Sequence, residues 1–252
     1  MKPRLGLIGI IDGELKKDYW GTLEKVEGMG YEGLESAADF ESLGLKPGEY
    51  RKRLADLGFS IPIMYTSPED LDRDYAGQVA VIRELGCSRA IFYWSPCKTR
   101  EETIKDAERF NRYGAKLKQD GIYLCYHNHE HEFLKVYDGK LAMELIVENS
   151  DPANLGIELD VGWVMMGKAD PAAWLRKLKG RCPVIHLKDF YDLAVRESFT
   201  EVGTGLNDFS AIMKAAVETG VEWGIVEQDK MRNLTPMESI RVSIDNLKKT
   251  EV

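Results

Sequence analysis

The sequence is short of several features that would define its class. Only four of its 252 residues are cysteines, at positions 87, 97, 125 and 182, and no two of them form a CxxC pair. This scarcity excludes a disulfide framework and a zinc ribbon, so we expect free thiols. The longest early apolar stretch, residues 5–11, is broken by two glycines and followed by Asp12. It is too short for a membrane span or a secretion signal, so we expect a cytoplasmic protein with no membrane partner.

Positive charge and histidine are also scarce. Lysine and arginine number 34 against 42 aspartates and glutamates, which gives a net charge of −8, and there are four histidines. Such a chain repels polyanions, so we expect no nucleic-acid partner. The same numbers disfavour an apurinic-site endonuclease, which would need more histidines for a multinuclear zinc cluster and a basic groove.

What the chain does have is a regular alternation of two patterns. Short β-branched or aromatic runs occupy eight segments: residues 4–11, 30–36, 59–66, 88–95, 122–129, 154–161, 182–189 and 222–229. Helical patterns lie between or after them, such as residues 47–57, 75–85, 99–119, 171–179, 208–219 and 236–249. This alternation predicts an α/β protein, a (β/α)8 TIM barrel with one domain over residues 1–252. A doubly wound sheet is the rival fold, but the first strand lacks a GxGxxG turn.

Ionisable residues cluster at the ends of the last four predicted strands. Residues two apart in a strand share a face, which pairs His127 with His129, Glu158 with Asp160, His186 with Lys188, and Glu227 with Asp229. The carboxyl ends of barrel strands form the active site. Carboxylates and imidazoles crowded there favour a divalent cation that neutralises them. Oxygen and nitrogen donors without thiolate suit manganese, magnesium, cobalt or zinc.

Five motifs together carry a family resemblance. They are YHNHEHEF at residues 126–133, ELDVGW at 158–163, HLKDF at 186–190, EVGTG at 201–205 and VEQD at 226–229. Over nearly the whole chain they resemble the xylose isomerase-like TIM barrels of the sugar phosphate isomerase and epimerase family, in its YHNHxxEF subgroup. The resemblance implies one divalent metal ion held by Glu132, Asp160, His186 and Glu227. Many relatives place the first glutamate at the strand tip, where this chain has His127 and His129, so either histidine is an alternative ligand.

The resemblance also implies an activity in carbohydrate metabolism. It predicts an isomerase or epimerase of a sugar, keto-sugar or sugar phosphate that removes a carbon-bound proton and passes through an enediolate. Glu132 and Glu227 are the implied bases. His127, His129 and Lys188 are candidates to donate to the developing oxyanion or to shuttle a proton. His129 is also a candidate substrate-binding residue, and Trp163 is a candidate platform for a sugar face.

Two other functions share these residues. A dehydratase or lyase acting on a keto-inositol or a 3-keto-glycoside has the same first step and differs only in the fate of the enediolate. A sugar-binding barrel without turnover would keep the metal and the ligand but would not exchange carbon-bound hydrogen. A small-molecule sugar or keto-sugar is the expected partner in each case, and a homo-oligomer is compatible with the sequence.

Some residues also have a purely structural interpretation. In this interpretation Lys188 simply pairs with Asp189 or Glu158. Glu158 then does no more than complete a buried ion pair. We expect His131 to be exposed. Glu35, at the end of the second strand, is a weak candidate for a functional residue. The GTG sequence at residues 203–205 is a weak signal for phosphate.

Overall fold

The fold is a closed barrel of eight parallel strands, as predicted. The computed structural model describes residues 1–250. Barrel strands one to eight are, in chain order, Arg4–Leu7, Gly33–Leu34, Met64–Tyr65, Arg89–Phe92, Tyr123–His127, Leu155–Asp160, Val184–Leu187 and Trp223–Val226. Their order in the sheet is two, one, eight, seven, six, five, four, three. Hydrogen bonds from Leu34 N to Ser60 O (3.0 Å) and from Ser36 N to Ile63 O (3.0 Å) join strand two to the chain before strand three and close the ring.

Helices connect the strands and cover the outside of the barrel. They are Asp12–Leu15, Tyr19–Glu27, Pro47–Asp56, Pro68–Glu84, Arg100–Gln119, His131–Leu134, Ala142–Glu148, Val161–Met166, Pro171–Lys177, Phe209–Thr219 and Pro236–Lys249. The helix predicted from residue 75 begins earlier, at Pro68, but the backbone of Asp74 leaves the helical region (φ −152°, ψ 76°). The predicted boundary therefore coincides with this kink. Within residues 1–250 no helix is both long and apolar enough to cross a membrane.

The strands are shorter than the runs that predicted them. Strand two has only Gly33 and Leu34, although the run covered residues 30–36. A side chain at Gly33 would place its Cβ 2.5 Å from the ring of Trp223, so only glycine allows this approach inside the barrel. Residues of the runs that extend beyond the strands form the loops at the carboxyl ends, which is where polar side chains gather.

Strand register brings the predicted site residues side by side. In the parallel pairs, His127 lies opposite Glu158 and Asp160 lies opposite His186. Below them the barrel interior is filled by Ile63, Ile91, Cys125, Val184, Trp223 and Ile225. Strand seven continues into a hairpin in which Asp189–Phe190 pairs with Phe199–Thr200. These polar side chains therefore pack on the apolar interior of the barrel. They lie beside the loop that connects the two hairpin strands.

Candidate metal centre

Asp160, His186 and Glu227 meet at the carboxyl end of the barrel. One ligand atom of each lies within 4.8 Å of the other two, and His186 Nδ1 is 2.7 Å from Glu227 Oε2. Asp160 Oδ1 accepts a hydrogen bond from Trp163 N (2.9 Å), whereas its buried Oδ2 accepts none from the described residues. A buried acceptor without a donor is costly, and a cation at this point would satisfy it. The residues therefore fit a divalent metal ion.

His186 is oriented from its other side by two further carboxylates. Its Nε2 lies 2.9 Å from Glu35 Oε2 and 3.2 Å from Glu158 Oε2. Histidine ligands of metals commonly donate the second ring N–H to a carboxylate, which directs the first nitrogen to the metal. Burial opposes protonation of His186, but Glu35, Glu158 and Glu227 outweigh it and hold its pKa well above the usual value. The three carboxylates thus attract positive charge to this position.

His127 adds a second histidine to the centre. Together with Glu158 and His186 it forms another group whose ligand atoms lie within 4.8 Å of one another. Its Nδ1 is 3.0 Å from Glu158 Oε2, and its Nε2 is 3.9 Å from Asp160 Oδ2. Burial and the neighbouring His186 lower the pKa of His127 well below its usual range. A neutral imidazole has a free lone pair, so His127 is suited to bind a metal.

Lys188 contributes the one buried lysine side chain among the described residues of this centre. Its Nζ lies 3.0 Å from Glu227 Oε2, 3.4 Å from Asp160 Oδ2 and 3.1 Å from Asp229 Oδ2. Burial opposes its charge, but these carboxylates raise its pKa above the usual value. Lys188 pairs with neither Asp189 nor Glu158, the partners named as alternatives, because its ammonium group lies among Asp160, Glu227 and Asp229.

Glu132 lies in a different position from the other predicted ligands. The short helix His131–Leu134 carries its carboxylate back to strand five, where it is fully buried and accepts hydrogen bonds from Tyr126 OH (2.5 Å) and His129 N (2.9 Å). Burial raises its pKa to about 8. Both carboxylate oxygens have donors, and Glu132 belongs to neither ligand group found among the described residues. Its metal-binding and basic roles stay predictions.

The comparison with protein families agrees with this geometry. Residues 23–250 match the family described as xylose isomerase-like TIM barrel. This chain belongs to that family. The predicted resemblance is thereby confirmed, and so is the barrel fold.

Three proteins of known name or structure are similar to this member of the xylose isomerase-like family. An inosose dehydratase from Clostridium tetani is 26% identical in an alignment of 175 residues that covers 61% of this chain and 58% of that protein. The match therefore spans less than two thirds of that relative. A sugar phosphate isomerase/epimerase from Parabacteroides distasonis is 25% identical, with a TM-score of 0.84 over 98% of this chain and 96% of its own. The IOLI protein, solved with a bound zinc atom, is 17% identical and shares the fold, with a TM-score of 0.75 over 100% of this chain and 99% of its own.

In this family member, the side chain of Asp189 occupies the loop with the GTG sequence at residues 203–205, which was a weak signal for a phosphate-binding site. Its carboxylate is buried and accepts hydrogen bonds from five backbone N–H groups, at 2.8–3.1 Å. These donors belong to Phe190, Gly203, Gly205, Leu206 and Asn207. Convergent N–H groups are the donors that a bound phosphate would use. Here they already hold an anionic side chain of the protein itself.

The aromatic residues of the site divide into a buried and an exposed set. Trp163 is only 3% exposed and packs on Phe190, with ring centroids 5.1 Å apart. By contrast Trp94, in the loop after strand four, is 53% exposed, and its ring lies 5.2 Å from that of His129. Burial lowers the pKa of His129 to about 4, so its ring is neutral. Trp94 offers more open ring surface than Trp163, whose role as a sugar platform stays a prediction.

Sequence reasoning missed or misjudged several neighbours of the centre. Asn128 forms hydrogen bonds with the backbone of Asp160, and Glu35 contacts His186, although the sequence patterns indicate no role for Asn128 and only a weak one for Glu35. The position of Glu35 at the end of a strand was the available signal. His131 was expected to be exposed, but its ring is half-buried, and its Nε2 lies 2.8 Å from Ser95 O. The segment that carries His131 lies against the loop after strand four, where the ring of Trp94 is 4.8 Å from that of His131.

Proposed function

We propose that this chain is a metal-dependent isomerase or epimerase of a sugar or keto-sugar, which first removes a proton from the carbon next to a carbonyl. The observation that carries the proposal is the convergence of Asp160, His186 and Glu227 within 4.8 Å at the carboxyl end of the barrel. The similar isomerase/epimerase from Parabacteroides distasonis supports this class. Free, buried cysteines support a cytoplasmic location.

Asp160, His186 and Glu227 would hold the metal, with His127 or Glu132 completing the set. Manganese, magnesium, cobalt and zinc all suit these donors, and the zinc in the IOLI protein supports zinc among them. A divalent ion bound there would supply a Lewis acid that polarises neighbouring carbonyl and hydroxyl oxygens of the substrate. The protein groups then have to orient the substrate and move the proton.

The proton would move between carboxylates and the substrate carbon. Glu227 is the proposed base on one face, and Glu132 or His127 returns the proton on the other face. The Lys188 ammonium donates to the substrate oxygen that gains negative charge, which lowers the barrier to proton removal. His129 contacts the substrate, and the exposed ring of Trp94 beside it offers a flat surface for C–H groups of a sugar.

The loop after strand seven favours an unphosphorylated substrate. Its backbone N–H groups already donate hydrogen bonds to the carboxylate of Asp189, so they are not available to bind a phosphate. A substrate that extends from the metal centre past Glu35 would enter a cavity of about 580 Å³ at the ends of strands one and two, which is lined by Asp12 and Asp39 but by none of Asp160, His186 and Glu227. This volume is sufficient for a monosaccharide. Carboxylates accept hydrogen bonds from hydroxyl groups but repel phosphate, so the cavity suits a neutral polyol.

A dehydratase is the second candidate function. The similarity to an inosose dehydratase favours it. Both reactions begin with loss of the proton next to a carbonyl and differ in the next step, since a dehydratase then expels a hydroxyl group as water. The product separates them: an isomerase conserves the substrate mass, and a dehydratase releases water.

Deuterium exchange tests the proposal. Purified protein loaded with Mn²⁺ is incubated in heavy water with a panel of keto-sugars and keto-inositols, and carbon-bound deuterium is followed by proton NMR and mass spectrometry. We expect exchange that is lost in Asp160→Asn and Glu227→Gln and kept in Glu222→Gln. Glu222 pairs with Arg89 near the amino ends of the strands and serves as the matched control. Exchange that persists in both site variants would contradict the proposal.

A further inference from the structure

We infer that Lys188 is an internal cation that competes with the metal for Asp160 and Glu227, so that metal binding requires its ammonium group to move aside. The inference rests on the proposed function, because it concerns the same metal site. It assigns Lys188 a role in setting the metal affinity, in addition to its proposed contact with substrate.

The position of the ammonium group is the first observation. Lys188 Nζ lies 3.0 Å from Glu227 Oε2 and 3.4 Å from Asp160 Oδ2. These two carboxylates are also the oxygen donors of the candidate metal group. Asp160 Oδ2 receives no hydrogen bond from the described residues, so the nearby ammonium group compensates its charge without fully satisfying it. The lysine and a metal ion would therefore neutralise the same pair of carboxylates.

The second observation is that Lys188 has other partners within reach. Its Nζ is 3.1 Å from Asp229 Oδ2, which is partly exposed, and 4.6 Å from the ring of Trp163. The Asp229 carboxylate and the aromatic face can both hold an ammonium group. A rotation of the last side-chain bonds would move Nζ toward these partners and away from Asp160.

The stem of the lysine is fixed, so the movement is confined to its end. A Cβ on Gly162 would lie 2.8 Å from Lys188 Cβ and 3.0 Å from Cγ, which shows how closely the stem packs on this glycine. The side chain is 2% exposed. Lys188 therefore cannot swing into solvent, and its charge stays close to the metal site in either position.

Charge explains why the two cations oppose each other. A divalent ion and an ammonium group a few ångströms apart repel strongly where burial lowers the effective dielectric constant. Wild-type protein must lose two Lys188 contacts and accept this repulsion when the metal binds. A neutral side chain of similar length at position 188 removes both costs, so it tightens metal binding even though it removes a residue of the site.

The experiment measures Mn²⁺ binding by Lys188→Met and wild-type protein. Mn²⁺ binds more weakly than cobalt or zinc at such sites, so its dissociation constant is directly measurable by electron paramagnetic resonance of the free ion. We expect Lys188→Met to lower the Kd for Mn²⁺ at least tenfold. Lys230→Met is the control, because it removes one positive charge from a surface pair with Glu197 and should leave the Kd unchanged.

Thermal unfolding gives a second, independent readout. Chelator-treated Lys188→Met should have a lower Tm than treated wild-type protein, since the buried Asp160 and the half-buried Glu227 lose their cation. Mn²⁺ should raise the Tm of the variant by more than it raises that of wild type. Lys188→Gln should show both effects if Lys188→Met fails to fold.

An equal or weaker affinity in the variants, with normal Mn²⁺ binding by wild type, overturns the inference and leaves the proposed function intact. Absence of Mn²⁺ binding in wild type and variants alike overturns both.

Discussion

Asn128 holds the backbone of Asp160 at two points. Its Oδ1 accepts a hydrogen bond from Asp160 N (3.0 Å), and its Nδ2 donates to Asp160 O (3.4 Å). Both residues are fully buried. The amide of Asn128 thus joins the end of strand five to the end of strand six and fixes the carboxylate that is the proposed metal ligand.

Asn128→Ala should weaken metal binding as well as stability. It leaves a buried N–H without an acceptor, which costs about 1–3 kcal/mol of unfolding free energy. Loss of a residue that supports a ligand typically lowers metal affinity by about 10–100-fold. Isothermal titration calorimetry with zinc measures the metal affinity, and unfolding in urea measures the stability. Asn111→Ala is the matched control, since Asn111 Oδ1 accepts from Asp151 N (2.9 Å), outside the centre; it should lower stability alone.

Glu35→Gln should lower the metal affinity without unfolding the barrel. The glutamine keeps the size and an oxygen acceptor for His186 Nε2 but loses the negative charge that holds the ring. We expect about a tenfold weaker affinity for zinc. Glu32→Gln changes an exposed carboxylate that pairs with Arg4 and should have no effect. Equal affinities for the two variants would show that Glu35 does not orient His186.

Trp94→Ala should raise KM more than it lowers kcat. An aromatic contact with a substrate contributes about 0.5–1.5 kcal/mol, which corresponds to about a two- to tenfold change in KM. Trp94→Phe keeps a ring and should retain most of the affinity. Steady-state kinetics on the best substrate from the exchange screen checks this, and an unchanged KM in Trp94→Ala would exclude stacking on this ring.

The cysteines should resist modification in the folded protein. All four are free and buried, and burial raises the pKa of Cys87 and Cys97 to about 11 and that of Cys182 to about 12. A raised pKa keeps the thiol protonated, so a thiol reagent at about pH 8 should label native protein slowly and denatured protein at four sites. Rapid labelling of the native protein would contradict this burial.

The same thiols predict a loss of stability in alkali. The ordinary pKa of a cysteine thiol is 9.0, and burial raises it in the folded chain. Unfolding therefore releases thiol protons once the pH exceeds the unfolded value, so the unfolding free energy should fall as the pH rises above 9.0. Urea unfolding across this range measures the slope, and replacement of Cys182 by alanine should reduce it.

Sequence periodicity predicted the barrel well because strands and helices have distinct spacings. Each predicted run contains an observed strand, and the helix predicted at residues 236–249 matches Pro236–Lys249. The ends of the strands were less predictable. Hydrogen bonding stops where the chain turns toward the site, and the apolar pattern continues for several residues beyond that point, as in residues 4–11 against Arg4–Leu7.

The convergence of Asp160, His186 and Glu227 was predictable, because a motif and a strand end coincide at each of them. Contacts between distant strands were not. Glu35 is 151 residues from His186 in the chain, and only closure of the barrel brings them together. The partners of Lys188 were misjudged for the same reason, because the direction of a long side chain depends on packing against Gly162 and Trp163.

Anomalous diffraction from crystals soaked in MnCl₂ and measured at the manganese edge tests the central claim most directly. The account predicts one strong peak within about 2.0–2.3 Å of His186 Nδ1 and of carboxylate oxygens of Asp160 and Glu227. A peak bound by other residues, or no peak in fully soaked crystals, would contradict it.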